Sequence, residues 1–171
     1  ISPSTGSTNM EKQIMKYSKE VTETHRLSCQ HKDCLQLISD CFTQEGGKGN
    51  LFCQNETCIN LDKIEKKQHK NSPQATMDIT IGIEASSKKM LLVELRFNYK
   101  NPKNIGKQEI LDKIVHSKDL LSDCAVHPEY IFIFKENVKN QARSHFNRLF
   151  IGKKTPCIIM TEDEFHHYFF L

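Results

Sequence analysis

Hydrophobic positions along the chain follow helical spacing in some stretches and strand spacing in others. Helical spacing marks residues 10–42, the segment that follows Asn104, and residues 137–150. Short apolar runs bounded by turn residues predict strands near 51–61, 77–84, 90–98, 129–134 and 157–160. The charged stretch 62–75 is predicted to be a loop, and the aromatic residues 164–171 a last short element.

The order of these elements is α, β, β, β, α, β, α, β. Two of the strands flank the turn-forming residues 85–89 and predict an antiparallel hairpin. A hairpin followed by strand–helix–strand crossovers predicts an α/β fold with a mixed central sheet flanked by helices. A chain of 171 residues suits one domain, which we expect over residues 10–171, with residues 1–9 as a flexible lead-in.

Two acidic residues, Asp78 and Glu94, interrupt the strands of this hairpin. A buried carboxylate is costly without a partner, so each one indicates a cation or a cleft. Alternation along the second strand places Glu94 and Arg96 together on the face opposite Leu91, Val93, Leu95 and Phe97. The hairpin can bring Asp78 onto the same face. Paired carboxylates form a hard-oxygen site that suits Mg²⁺ or Mn²⁺.

An Asp on one strand, an acidic-x-basic triplet on the next, and then helix–strand–helix–strand resemble the restriction-endonuclease-like nucleases, the PD-(D/E)xK superfamily. The similarity covers residues 10–160 as an element order and implies an αβββαβ core. It implies that Asp78 and Glu94 hold the divalent ion, and that Arg96 positions the attacking water and stabilises the transition state. The implied activity is metal-dependent hydrolysis of DNA phosphodiester bonds.

The motif departs from the family pattern at two positions. Met77 stands where a proline often precedes the aspartate, and Arg96 replaces the usual lysine. Arginine binds phosphate well but does not accept a proton. Lys100, of the same strand parity, and Lys107, at the start of the following helix, are therefore further candidate catalytic residues.

Three alternatives stay open at this point. The chain is a catalytically inactive member of the same fold that acts as a DNA-binding or protein-assembly module, or it is an unrelated α/β domain with no nucleic-acid role. In the simplest interpretation, Asp78 ends a hairpin strand, and Glu94 and Arg96 form an exposed ion pair of a kind that solvated strand faces commonly carry.

Composition adds modest support for a nucleic-acid partner. The formal net charge is +3, and lysines cluster in the sequence around the hairpin, although a solvated surface explains them equally well. No apolar run approaches the ~20 residues that span a membrane. We expect a cytoplasmic protein that binds nucleic acid, DNA in the first instance, with a homodimer as one candidate assembly.

The seven cysteines raise the question of a structural zinc ion. Cys29 and Cys34, like Cys53 and Cys58, are separated by four residues, and His31 and Cys41 lie nearby in the sequence. Zinc takes four such ligands in a tetrahedron, but buried free cysteines are common. Structural Zn²⁺ is thus the less favoured alternative to core thiols or disulfides.

Overall fold

A computed structural model describes residues 14–122 and 124–171; the expected lead-in, residues 1–9, lies outside the described residues. The elements within this part of the chain are β1 (Lys16–Tyr17), α1 (Lys19–Thr24), α2 (Arg26–Gln30), β2 (Leu35–Leu37), α3 (Ile38–Gln44), β3 (Thr57–Asn60), α4 (Leu61–Gln68), β4 (Ile79–Glu84), β5 (Lys88–Leu95), α5 (Lys107–Leu121), β6 (Tyr130–Ile133), α6 (Lys139–Leu149), β7 (Cys157–Met160) and α7 (Glu162–Phe170). Three short 3₁₀ turns, at Lys32–Cys34, Pro102–Asn104 and Glu136–Val138, join some of them.

The strands form one mixed, open sheet in the order β2-β3-β4-β5-β6-β7, and β1 pairs with β4. Strands β2 to β5 are antiparallel, whereas β5, β6 and β7 are parallel. The expected α/β class with a mixed central sheet is confirmed. The expected hairpin is β4–β5, with Ile79 opposite Val93.

Helices cover both faces of the sheet, and each face has its own hydrophobic cluster. One cluster joins Leu92 and Phe132 to residues of α4, α5 and α6, including Ile64, Ile110 and Phe146. The other joins residues of β4 and β5 to α3 and α7: Ile81, Leu91, Val93, Phe42 and Phe165. Both faces of the sheet are covered, so residues 79–83 of β4 and 90–95 of β5 are all buried, and any charged side chain there must find a partner.

The helical spacing of residues 10–42 is confirmed only in part. Within the described part of this segment the chain forms two short strands and three short helices. Tyr17 pairs with Ile83 in β1, and Ser18 ends that strand by accepting a hydrogen bond from the backbone N–H of Val21 at 3.1 Å. The spacing of apolar residues was helical by coincidence, because β1 and α1 contribute to it in turn.

The loop expected at residues 62–75 is also wrong at its start, where α4 lies. The Asn60 side chain accepts a hydrogen bond from the backbone N–H of Lys63 at 2.9 Å and so caps the helix. Leu61 and Ile64 are fully buried, and an Asp62–Lys66 ion pair of 2.8 Å spans one turn. Two buried apolar residues thus suffice to hold a helix whose other positions are polar.

Two other boundaries differ from the sequence prediction. The strand expected at 51–61 is confined to β3, after the segment around Gln54 and Asn55. The sequence also suits Asn104 as the N-cap of the helix that follows it, but α5 has Gly106 at its N-cap, and Asn101 caps the 3₁₀ turn instead. Among the described residues, the helices are too short or too polar to cross a bilayer.

Candidate functional site

The two carboxylates singled out from the sequence lie side by side, Asp78 directly before β4 and Glu94 in β5. Glu94 Oε1 accepts a hydrogen bond from the backbone N–H of Asp78 at 3.1 Å. Asp78 Oδ2 accepts one from the backbone N–H of Leu95 at 2.7 Å. The hairpin register produces this exchange, because Asp78 directly precedes the Ile79–Val93 pair and Glu94 directly follows it.

The electrostatics of Asp78 are unusual for a carboxylate. Burial raises the pKa of Asp78 to about 9, and the charge of Glu94 and a hydrogen bond between the two carboxyl groups add to the rise. Only the nearby backbone N–H of Leu95 acts to lower the pKa to any comparable degree. At neutral pH the carboxyl group of Asp78 therefore carries a proton.

Glu94, in contrast, is compensated by two cations. Its Oε2 atom lies 2.7 Å from Arg96 Nη2 and 3.2 Å from Lys113 Nζ. Glu94 is 1% exposed and Arg96 9% exposed. The interpretation of these two residues as an exposed surface ion pair is therefore wrong, since α5 covers this face of the sheet.

Two hydrogen bonds between α5 and the segment before β4 position Lys113. Ser117 Oγ accepts from the backbone N–H of Met77 at 2.7 Å and donates to the carbonyl of Lys113 at 2.6 Å. Lys113 Nζ also donates to the carbonyl of Thr76 at 3.1 Å. The ammonium group is thereby held against both the carboxylate and the backbone next to Asp78.

Arg96 keeps unused hydrogen-bonding capacity. Its Nη2 atom serves both Glu94 and Glu109, the latter at 3.0 Å. Its guanidinium carbon lies 4.5 Å from the centre of the Tyr99 ring. Its Nε atom is buried and has no hydrogen-bond partner among the described residues. A buried donor without a partner costs stability.

These groups border one cavity of about 230 Å³ on the surface of the domain. Its lining is strongly charged and consists of Glu45, Asp78, Glu94, Leu95, Arg96, Asn98, Tyr99, Glu109 and Lys113. A smaller space of about 40 Å³ on the other side of Asp78 is lined in part by Cys41, Glu45 and Asp62.

Glu45 reaches the site from the loop after α3. The Glu162 carboxylate at the start of α7 accepts hydrogen bonds from the backbone N–H groups of Lys48 at 2.9 Å and Gly49 at 3.1 Å. Gly46, next to Glu45, has a φ of +95°, a conformation that favours glycine. The loop that carries Glu45 is thus shaped by glycine and anchored by α7.

The structure brings Asp78, Glu94 and Arg96 together but not the two further lysines. Lys100 lines a separate groove, and Lys107 Nζ lies 5.5 Å from the centre of the Phe150 ring. The lysine at the cavity is Lys113, which the sequence analysis missed. Its spacing held a signal, since Glu109, Lys113 and Ser117 recur every four residues beside the buried row of Ile110 and Ile114.

The cysteines do not converge as two spaced pairs. Cys29 and Cys53 are exposed, and Cys34 is buried on the sheet face opposite the one that buries Cys58. Cys58 and Cys41 Sγ atoms lie 3.5 Å apart as free thiols. Across the described parts of the chain, no three His, Cys, Asp or Glu side chains are grouped so as to hold a metal ion.

Two carboxylates can nevertheless suffice for Mg²⁺, which commonly binds one or two protein carboxylates and completes its shell with water and phosphate oxygens. The donor set of Asp78 and Glu94 fits that requirement, with Glu45 also at the cavity. Asp78 fits best, because its raised pKa reflects a carboxylate that lacks a cationic partner. Comparisons of this chain with protein-family models, curated proteins and solved structures found no match.

Proposed function

We propose that the protein is a metal-dependent nuclease of the restriction-endonuclease-like kind, hydrolysing DNA phosphodiester bonds at the Asp78–Glu94 cavity. One observation carries the proposal. Two carboxylates from neighbouring strands meet at a surface cavity that also contains Arg96 and Lys113. Such a site combines oxygen ligands for a divalent ion with cations for a phosphate group.

Asp78 and Glu94 are the residues that would hold Mg²⁺ or Mn²⁺. When bound, such an ion supplies Lewis-acid stabilisation of the charge that develops on the phosphate oxygens. The proton that Asp78 carries must leave before the carboxylate can ligate an ion, so ion binding is linked to proton release. The affinity for the ion should therefore rise with pH.

The remaining side chains act on the phosphate. Arg96 lines the cavity, and its planar guanidinium group favours contact with phosphate oxygens. Tyr99 and Glu109 hold that group in place from two sides. Lys113 takes the part that the family resemblance assigns to a lysine, and supplies a fixed positive charge beside Glu94.

The test is DNA cleavage with protein that has been stripped of metal by EDTA. We expect Mg²⁺ or Mn²⁺ to restore cleavage of single- or double-stranded DNA. Samples with Ca²⁺, or with EDTA alone, serve as comparisons. Asp78→Asn and Lys113→Gln should each abolish cleavage. Asp78→Asn is the sharper variant because asparagine mimics the protonated side chain, so its fold should be retained.

An exposed residue provides the control. Asp33→Asn changes the same chemical group in an ion pair with Lys67, remote in sequence from the site, and should leave cleavage unchanged. Wild-type protein that neither cleaves DNA nor binds a divalent ion would refute the proposal. Cleavage that survives Asp78→Asn would refute the assignment of the site.

A second candidate, a non-catalytic DNA-binding module, is favoured by one observation. Glu94 Oε2 already contacts both Arg96 and Lys113, so the site is compensated without any added ion. This candidate predicts DNA binding that EDTA does not alter, together with no cleavage. The same cleavage and binding measurements separate the two functions.

A further inference from the structure

We propose that the groove between residues 100–103 and α6 binds the sugar–phosphate backbone of a polynucleotide that extends from the Asp78–Glu94 cavity. The groove encloses about 660 Å³. It is lined by Lys100, Asn101, Lys103, Asn140, Gln141, Ser144 and Arg148. This inference deepens the proposed function and rests on it for the path of the strand.

The chemistry of the lining is that of a phosphate-binding surface. Three of its seven side chains are cationic, three are amides and one is a hydroxyl, and none is acidic. Amide, hydroxyl and basic side chains supply most protein contacts to phosphate and sugar. A groove that recognised a cation or a basic partner would present carboxylates instead.

The cations of the groove are also free to bind. Lys100, Lys103 and Arg148 are exposed and have no ion pair with any described residue. The lysines of α4 differ, since Lys66 contacts Asp62 and Lys67 contacts Asp33, each at 2.8 Å. Binding a polyanion to the groove therefore requires no existing ion pair to break.

The backbone around the groove is held firmly. Pro102 is buried, and His145 Nε2 lies 2.7 Å from the carbonyl oxygen of Ile105, which ties this segment to α6. Ala142 and Phe146 bury the inner face of α6. Gln141, Ser144 and Arg148 then share the outer face, because residues three and four apart are neighbours on a helix.

The groove is continuous with the candidate site along the chain. Asn98 and Tyr99 line the cavity, and the next two residues, Lys100 and Asn101, line the groove. Along α6, Gln141 to Arg148 spans about 10 Å at 1.5 Å per residue. That length lets the groove contact more than one consecutive phosphate of a single backbone.

The experiment measures binding by fluorescence anisotropy in EDTA, so that no cleavage occurs. The probes are labelled 20-nucleotide DNA and RNA strands of matched sequence, titrated at several salt concentrations. A triple variant, Lys100→Ala with Lys103→Ala and Arg148→Ala, should lower the slope of log affinity against log salt by about 2–3, since each phosphate contact contributes about 0.7–0.9. The probe that shows this change identifies DNA or RNA as the source of the phosphates.

A matched control removes three lysines from α4: Lys63→Ala, Lys66→Ala and Lys67→Ala. Both triple variants change the net charge by the same amount, so a non-specific effect of charge would lower the two slopes equally and overturn the inference. An unchanged slope in the groove variant, or no binding of either probe by the wild type, would overturn it as well. Circular dichroism of both variants verifies that they are folded.

The failure of this inference can be told apart from that of the proposed function. Suppose that cleavage depends on Asp78 but that the groove variant binds DNA and RNA as the wild type does. That result would overturn the inference about the groove and leave the proposed nuclease activity standing. Binding that depends on the groove, with no cleavage under any divalent ion, would support the groove and refute the nuclease.

Discussion

Replacing Asp78 with asparagine should stabilise the protein at neutral and alkaline pH. In the folded chain, burial and the nearby charge of Glu94 raise the pKa of Asp78 to about 9, whereas an aspartate in an unfolded chain has a pKa of about 3.9. Between these values the folded state holds a proton that the unfolded state has released. The free energy of unfolding of the wild type therefore falls as pH rises through this window.

The magnitude follows from the two pKa values. Each pH unit between them lowers the free energy of unfolding by about 1.4 kcal/mol. The loss would reach about 4 kcal/mol at pH 7, and partial exposure of Asp78 to solvent reduces it to about 2–4 kcal/mol. Asparagine has nearly the shape of the protonated carboxyl group but cannot ionise, so Asp78→Asn should recover this amount.

The assay is urea unfolding followed by circular dichroism, because the chain has no tryptophan. Wild type, Asp78→Asn and the exposed control Asp33→Asn are compared from pH 5 to pH 8.5 in EDTA. Burial lowers the pKa of His25, so this residue makes the free energy of unfolding rise with pH below about pH 6.5. The contribution is the same in variant and wild type and therefore cancels from their difference.

The test depends on how the difference in free energy of unfolding between variant and wild type changes with pH. The advantage of Asp78→Asn over the wild type should grow by about 0.6–1.3 kcal/mol per pH unit after the allowance for solvent exposure, while that of Asp33→Asn should not grow. A constant difference across the range, or an asparagine variant less stable than the wild type at pH 8, would show that Asp78 is ionised in the folded protein.

Three further predictions test other parts of the structure. Glu94→Gln should destabilise the protein by about 3 kcal/mol in urea unfolding at pH 7, because two cations lose their buried counter-charge, and an unchanged midpoint would contradict this. Gly82→Ala should lower the free energy of unfolding by about 1–3 kcal/mol, since a Cβ there would lie 2.6 Å from atoms of α1. Gly106→Ala has open space around its Cβ and should lower it by less than about 1 kcal/mol. Equal effects of the two variants would refute the packing argument. Cys29 and Cys53, both exposed, should be the first thiols modified by a maleimide in the native protein, as peptide mass spectrometry can check; earlier labelling of a buried cysteine would show that the core opens.

The sequence was a good guide where the signal was local and regular. The hairpin β4–β5 follows from two apolar runs around turn residues, and strand alternation places Asp78 and Glu94 on a common face. The sequence did not indicate that α5 covers this face, because the alternation that identifies a solvated strand face is the same when a helix packs on it. For that reason Glu94 and Arg96 fit equally well as an exposed pair.

Local sequence patterns do not predict the residues that reach the site from other elements. Lys113 is brought to Glu94 by the packing of a whole helix, and Glu45 by a loop that a distant helix anchors. Neither position depends on its own sequence neighbours. The helix α4 was missed for a related reason, since its stability comes from burying Leu61 and Ile64 rather than from the polar residues that fill most of it.

The Glu162 carboxylate accepts hydrogen bonds from the backbone N–H groups of Lys48 and Gly49, which makes the timing of protein synthesis relevant to the site. A ribosome adds about 5–20 residues per second, and 114 positions separate Lys48 from Glu162, so the loop that carries Glu45 waits roughly 6–23 s for its anchor. A chain interrupted in that interval has the paired carboxylates of the hairpin but an untethered loop beside them. Completion of the cavity is thereby coupled to the synthesis of α7, because the loop that carries Glu45 has no anchor until Glu162 has been added.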